Sequence, residues 1–296
     1  MKITVDAPAK INLFLDIIGK LDNGYHSLFM VMQSVDLCDE VTIEESNEKG
    51  IFLTCSDSRL PTDEKNIAYK AAKKFCDAAG VEPSVKIHIE KRIPFAAGLA
   101  GGSADAAAVI VGLNALLKTD YSQVQLCEIG LSIGSDVPFC IVGGTCLSQN
   151  TGGVLSALKP LKACYIVLAK PEAGVSTAEA YAAADNTYLY RPDSMRMLDA
   201  CEKGDFESIC KYAGNVFEQV IEVPERVEFK RIMRKNGASL CQMSGSGPTV
   251  FAVFEKKEDA ENCANEIKNV CPNVFVTTPV SYGATEVNKD DSNRIF

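Results

Sequence analysis

Histidine is nearly absent from this 296-residue chain, which has only His26 and His88, and no C-x-x-C pair occurs among its twelve cysteines. A structural zinc site draws on His and closely spaced Cys, so none is expected. Cys76, Cys140, Cys164 and Cys127 sit in apolar, regular-looking segments (KKFCDAA, VPFCIVG, KACYIVL, QLCEIG). They read as reduced, buried small hydrophobes rather than a disulfide framework. Long apolar runs are also missing: no stretch of about 18 residues lacks a charge or a breaker, which argues against a membrane span. The N-terminal MKITVDAPAKINLFLD has acids and a proline where a signal peptide needs an uninterrupted apolar core. A cytoplasmic protein is therefore expected. Basic clusters stop at pairs such as Lys73-Lys74 and Lys91-Arg92, and the net charge is −9. No nucleic-acid footprint is present, although a small anionic ligand needs only a few local donors. With 47% apolar and 23% charged residues, the chain can bury one large core or two moderate ones.

Apolar alternation marks strands over 11–20 and 26–37, which flank Asp22-Asn23-Gly24, an Asn-Gly hairpin signal. EVTIEE (40–45), GIFLTCS (50–56) and SVKIHIEKRIP (84–94) alternate likewise. Residues 65–80 have helical spacing closed by Gly80. A helix apolar on nearly every face is expected over 104–117, and Ser122 with Gln125 gives a capping-box signature for a helix at 123–133. The loop 134–138 is expected to lead into a strand, FCIVGGTCLSQ (139–149). Residues 150–162 read as a loop and place a boundary between an N-terminal domain, 1–155, and a C-terminal domain, 156–296. The second half opens on strand ACYIVLAKP (163–171) and continues through helices near 177–184, 194–202, 205–218 and 225–236. It closes with a turn at 243–248, strand TVFAVFE, a helix over 258–269 and strand NVFVTTPV, and a polar, frayed tail is expected after Ser281. Strands and helices mix without a steady βαβα rhythm, so the fold class is α+β.

PFAAGLAGGSADAAA (94–108) lies between a strand and the buried helix, with a single acid in it. Glycine permits positive φ and close approach to the backbone. The first turn of the following helix carries free N–H groups and the positive end of the macrodipole. One reading is a phosphate seat, with Ser103 able to cap the helix. The other is a tight turn built of small residues for packing alone. The loop has neither the Lys-Ser/Thr ending of a Walker loop nor the spacing of G-x-G-x-x-G. Gly245-Ser246-Gly247 forms a second small-residue loop, and two such loops can grip a polyanion from two sides. Lys10 follows Pro8 into an apolar strand, where its head either snorkels to water or meets an anion. Asp136, in IGSDVPF, is either a turn former or a carboxylate beside an attacking hydroxyl. Positioned phosphates, a cation and a carboxylate are what phosphoryl transfer requires. The residues by themselves reach as far as an ATP-dependent small-molecule kinase.

The loop Pro94-Phe95-Ala96-Ala97-Gly98-Leu99-Ala100-Gly101-Gly102-Ser103-Ala104 resembles the second motif of the GHMP kinases, and Gly245-Ser246-Gly247 resembles their third. PAKINLFLDIIGKLDNGYHSL (8–28), together with IGSDVPF, is similar to the branch acting on a cytidine diphosphate ester of methylerythritol in non-mevalonate isoprenoid synthesis. The likeness runs from the first strand to about residue 280. It implies a two-domain GHMP kinase fold with the active site in the interdomain cleft. It also implies transfer of the ATP γ-phosphate, with Mg2+, to the substrate's 2-hydroxyl. By position, Asp136 is implied to take the hydroxyl proton, while Lys10 holds the hydroxyl and favours the ionised carboxylate. Asn12 is implied as a substrate contact, Tyr25 and His26 as a cytidine-reading pair, and Tyr181 as a second aromatic wall. Ala96, Ala97 and Ala100 stand where many relatives have glycine, and they fit if they keep negative φ. A monomer or weak homodimer is expected, with a small molecule as its partner and neither nucleic acid nor membrane. Gly24-Tyr25-His26 disfavours a mevalonate- or homoserine-type kinase of the same family. The presence of both Lys10 and Asp136 disfavours a catalytically silent ligand sensor.

Overall fold

The computed structural model describes residues 1–22 and 24–287. Asn23 of the expected turn and the last nine residues of the expected tail lie outside the described residues. Strands β1 (Lys2–Lys20) and β2 (His26–Glu45) pair along their whole length as one antiparallel hairpin. They run beyond the expected segments because buried alternation continues through Ile3 and Val5 on one side and Val41 and Ile43 on the other. Register shifts fall at Pro8/Ala9, Asn12/Phe14 and Ile17/Gly19. Pro8 has no N–H to give a ladder, and such bulges bend a strand and re-aim its side chains.

Three short strands extend this sheet on the β2 side. The far end of β2 pairs with β4 (Ser84–Glu90), which carries β3 (Gly50–Cys55) in parallel, and Leu28–Gln33 pair with β5 (Thr145–Asn150). Residues 150–162 are not simply a loop: Asn150 (φ 58°) and Gly152 (φ 106°) turn the chain into β6 (Val154–Ala157), which pairs with β5. Helices α1 (Ile67–Ala79), α2 (Gly101–Leu117) and α3 (Gln123–Leu131) lie in the same half, with α1 closed by Gly80 at φ 66° and α3 opened by the Ser122/Gln125 capping box. Ala104, Ala106, Ala107 and Ala108 of α2 are fully buried. Small residues let α2 lie close to the sheet, and a Cβ on Gly112 would come within 2.5 Å of the Ile43 side chain.

The expected strand from Phe139 is instead a short helix, α4 (Val137–Val142), ended by Gly143 at φ 71°. An apolar run this short does not separate strand from buried helix by periodicity. Pro138 in the first helical turn, where a missing N–H costs nothing, favours the helix.

The second half builds an antiparallel sheet from β7 (Tyr165–Ala169), β9 (Leu240–Met243), β10 (Val250–Phe254) and β11 (Val274–Thr277), in the order β11-β7-β10-β9. Val167, Ala169, Val250, Ala252 and Phe254 pack against α8 (Arg226–Lys235) and α9 (Lys257–Ile267). Ile166, Leu168, Phe251 and Val253 point the other way, into the core shared with the first half. Burial on both faces explains why these strands read as continuous apolar runs.

Helices α5 (Thr177–Asp185), α6 (Ser194–Lys203) and α7 (Phe206–Tyr212) complete this half. The helix expected over 205–218 stops at Tyr212. The chain then forms β8 (Gly214–Asn215), parallel to Phe14–Leu15 of β1, and a 3₁₀ turn at Val216–Gln219. The backbone leaves helical geometry at Ala213 (ψ 141°), just before Gly214, where a Cβ would lie 2.8 Å from Pro192. Nor is the chain frayed directly after Ser281: β12 (Thr285–Glu286) pairs with Val5–Asp6, and Ala284 N donates to the Cys140 carbonyl at 2.7 Å. All twelve cysteines are free, and burial pushes the Cys76, Cys127, Cys140 and Cys164 thiols up. No helix among the described residues is long and apolar enough to cross a membrane.

Candidate active site

A cavity of about 590 Å³ is walled by β1, the loop before α2, the residue before α4, α5 and the 243–248 turn. Lys10, Asn12, Asp136, Tyr181, Gly245 and Ser246 all line it, as do residues 94–102 except Leu99. Leu99, Ser103, Ala104 and Gly247 stand behind the wall, and Tyr25 and His26 do not reach it.

The two glycine loops lean on one another. Gly98, at φ 74°, comes so close to the second loop that a Cβ there would lie 2.3 Å from the Ser244 carbonyl oxygen. Ser244 Oγ donates to the Gly98 carbonyl at 2.9 Å, and Thr249 N donates to that of Ala97 at 3.4 Å. The second loop therefore braces the first as well as lining the cavity. Asn215 holds it from behind, donating to the Met243 and Gly245 carbonyls at 2.7 and 2.8 Å. Ala96 (φ 51°) and Ala100 (φ 58°) lie in the left-handed region, so the condition of negative φ is not met at these two positions. A methyl is the smallest Cβ that region must accept, at a cost of about 1–2 kcal/mol per residue. Ser103 does not cap α2: the N-cap is Ala100, and no side chain takes the N–H groups of the first turn.

Lys10 is 4% exposed. Its backbone N–H leaves the sheet to donate to Leu99 O at 3.1 Å, which ties β1 to the loop. Its ammonium donates to Asn12 Oδ1 at 2.7 Å and stands 3.8 Å from Asp136 Oδ2. A buried lysine needs such partners. Asn12 is fully buried and its other arm faces Met30 Sδ at 3.5 Å, so its carbonyl serves Lys10.

Tyr181 on α5 stacks on His26, with ring centroids 4.6 Å apart, and meets Phe217 edge-on at 5.1 Å. Burial pushes the Tyr181 phenol up. His26 Nε2 pairs with Asp185 at 2.6 Å, and Lys20 reaches the other Asp185 oxygen at 2.9 Å. Tyr25 is 66% exposed. Sequence reasoning missed Asp185, Asn215 and the cluster of Lys91, Asp39 and Asp105. The lone acid in an alanine-rich buried helix is the one signal that pointed to that cluster.

Residues 66–144 match the GHMP kinases N terminal domain, and residues 197–273 match the GHMP kinases C terminal domain. The chain belongs to the GHMP kinases. It is 45% identical over 278 residues to a 4-diphosphocytidyl-2-C-methyl-D-erythritol kinase from Exiguobacterium sibiricum, covering 93% of this chain and 97% of that one. A protein of the same name from Caldicellulosiruptor saccharolyticus is 45% identical over 275 residues, covering 92% and 95%. A crystal structure of a 4-(cytidine 5'-diphospho)-2C-methyl-D-erythritol kinase superposes with a TM-score of 0.78 at 29% identity, covering 94% and 99%. A homoserine kinase from Cytophaga hutchinsonii superposes equally well, at 0.78, with 22% identity and 97% of each chain covered, and shares the fold.

Proposed function

We propose that the protein transfers the γ-phosphate of ATP to the 2-hydroxyl of 4-diphosphocytidyl-2-C-methyl-D-erythritol, a step in isoprenoid precursor synthesis. The relatives carry that name at 41–45% identity over nearly their whole length. The observation that carries the reading is the meeting of Lys10 and Asp136, 3.8 Å apart, in one cavity with the loop before α2. In this reading the substrate hydroxyl lies between Asp136 and Lys10. Asp136 takes its proton as the oxygen bonds to the γ-phosphorus, and the bond from that phosphorus to the β,γ-bridging oxygen breaks to release ADP. Lys10 spreads the charge developing on the transferring group. Asn12 positions Lys10.

The cradle suits a triphosphate: Gly98 has no room for a side chain, and the first turn of α2 is uncapped by any side chain. Residues 94–102 would hold the phosphates, with Gly245 and Ser246 opposite. Leu60, Pro61 and Asn66 line the same cavity and would face the adenine. Among the described residues no group of three carboxylates, histidines or cysteines could hold a metal. Mg2+ would come as the counter-ion of ATP. Tyr25, His26 and Tyr181 would receive the cytidine, and the division of the chain into 1–155 and 156–296 would set the cleft between two domains. Steady-state assay of the purified protein with MgATP and the cytidyl substrate tests the reading. Phosphorylated product and ADP in equal amounts support it.

A further inference from the structure

Beneath the loop, Lys91 is buried between two carboxylates. Its ammonium donates to Asp39 Oδ2 and, at 2.7 Å, to Asp105 Oδ2. Asp39 is fully satisfied as an anion, because its Oδ1 also accepts from the backbone N–H groups of Arg92 and Ile93. Asp105 is different. It is 3% exposed, it belongs to the cavity wall, and its Oδ1 is buried without any hydrogen-bond partner. An ionised carboxylate with a buried, orphaned oxygen is costly. Two such anions on one ammonium would also leave a net negative charge directly under the place where phosphates must sit.

We propose that Asp105 carries a proton and donates it, as an O–H hydrogen bond from Oδ1, to a phosphate oxygen of bound ATP. With that proton the cluster is neutral, Lys91 with Asp39 forming the ion pair and Asp105 accepting from Lys91 through Oδ2. Phosphate oxygens only accept, so an ionised Asp105 would repel the ligand while a protonated one completes its own hydrogen bonding by binding it. Burial, and then the neighbouring Asp39, hold the Asp105 carboxyl well above the usual carboxylate range, against the opposing pull of Lys91. Burial alone would depress the Lys91 ammonium, but the attraction of Asp105 and Asp39 raises it, so Lys91 stays charged. The field of Asp105 also reaches the thiols of Cys55 on β3 and Cys140 on α4, both pushed up by burial and so neutral.

This proposal rests on the reading of the loop as the triphosphate seat, and the test separates the two. Asp105→Asn keeps an acceptor for Lys91 and puts an N–H donor in place of the proposed O–H. Asp105→Leu keeps the volume and removes the donor. Losing one hydrogen bond to a charged group should raise the ATP KM of Asp105→Leu by roughly tenfold or more, with the KM for the cytidyl substrate little changed. The conservative Asp105→Asn should restore the ATP KM to within about threefold of the parent. The parent ATP KM should climb as pH rises through the elevated Asp105 pKa, and the Asn variant should lack that climb. Ala96→Asp, which puts a carboxylate on the exposed rim of the same loop, tests the seat itself. If Ala96→Asp raises the ATP KM but the Asn variant behaves like the Leu variant, or neither of these moves the ATP KM, the proton on Asp105 is refuted and the seat stands. If Ala96→Asp also leaves the ATP KM unmoved, the seat fails and the proposal fails with it.

Discussion

Lys10 Nζ stands 3.8 Å from Asp136 Oδ2, while its hydrogen bond goes to Asn12 Oδ1 at 2.7 Å. The cation thus stands beside Asp136 without occupying the lone pairs that a substrate hydroxyl would need. Asp136→Asn removes the proposed proton acceptor and keeps the shape. A drop in kcat of about 10²–10⁴ is expected, in the range usual for a general base. The Asp136 side chain is 30% exposed, so the melting temperature should barely move. Kinetics and a thermal melt on the same preparation check both halves.

Gly98→Ala should be among the most damaging single-methyl additions. Its Cβ would lie 2.3 Å from the Ser244 carbonyl and 2.9 Å from that of Gly247, at a backbone φ of 74°. The two glycine loops must then part, at a cost of about 2–4 kcal/mol, by the usual penalties of overpacking. Gly24→Ala is the contrast: φ is 84°, but nothing lies within 4 Å. Only the left-handed backbone is charged there, about 1 kcal/mol. Denaturant titration of the two variants should order them this way.

Asp105 gives stability a defined pH slope. Its carboxyl titrates well above the 3.8 of an ordinary aspartate, so over the interval between the two values the folded chain binds more protons than the unfolded one. Stability linked to this group therefore falls as pH rises through that interval. Asp105→Asn should remove this component, so the difference in stability between variant and parent should shift in the variant's favour with rising pH. Parallel denaturant curves at several pH values would expose a flat difference, which contradicts the shifted carboxyl.

Tyr181 touches both His26 and Phe217 through its ring. Replacing it with leucine keeps apolar bulk and removes both aromatic contacts, each worth about 0.5–1.5 kcal/mol beyond its buried area. The KM for the cytidyl substrate should rise several-fold and the ATP KM should not. Tyr25→Ala should act in the same direction. Equal effects on both substrates would take these rings out of the cytidine site.

The parts legible in the sequence were those written in local chemistry. Gly80, the Ser122/Gln125 box and the alternation of β1 and β2 each specify their own element. The α4 segment was misread because Phe139–Val142 is apolar without a period, and the helix from Phe206 was run too far because Gly214-Asn215, a local stop signal, was passed over. The short strands β8 and β12 exist only through β1, which no local pattern encodes. At the candidate site, the composition of residues 94–104 and the isolated Lys10 and Asp136 were visible. Their convergence was not, since the bulges in β1 and the bracing of Gly98 by Ser244 are long-range facts. The resemblance to GHMP kinases supplied roles that composition left open; the steric condition of negative φ, which came from the methyl groups alone, is not met at Ala96 and Ala100.

The most direct measurement is a substrate panel with MgATP: the cytidyl methylerythritol substrate, mevalonate and homoserine, each with the purified chain. We expect stoichiometric ADP and phosphorylated product with the cytidyl compound, and turnover at least a hundredfold lower with the other two, since recognition by buried polar and aromatic groups discriminates on about that scale or more. Turnover of mevalonate or homoserine without turnover of the cytidyl compound would contradict the assignment.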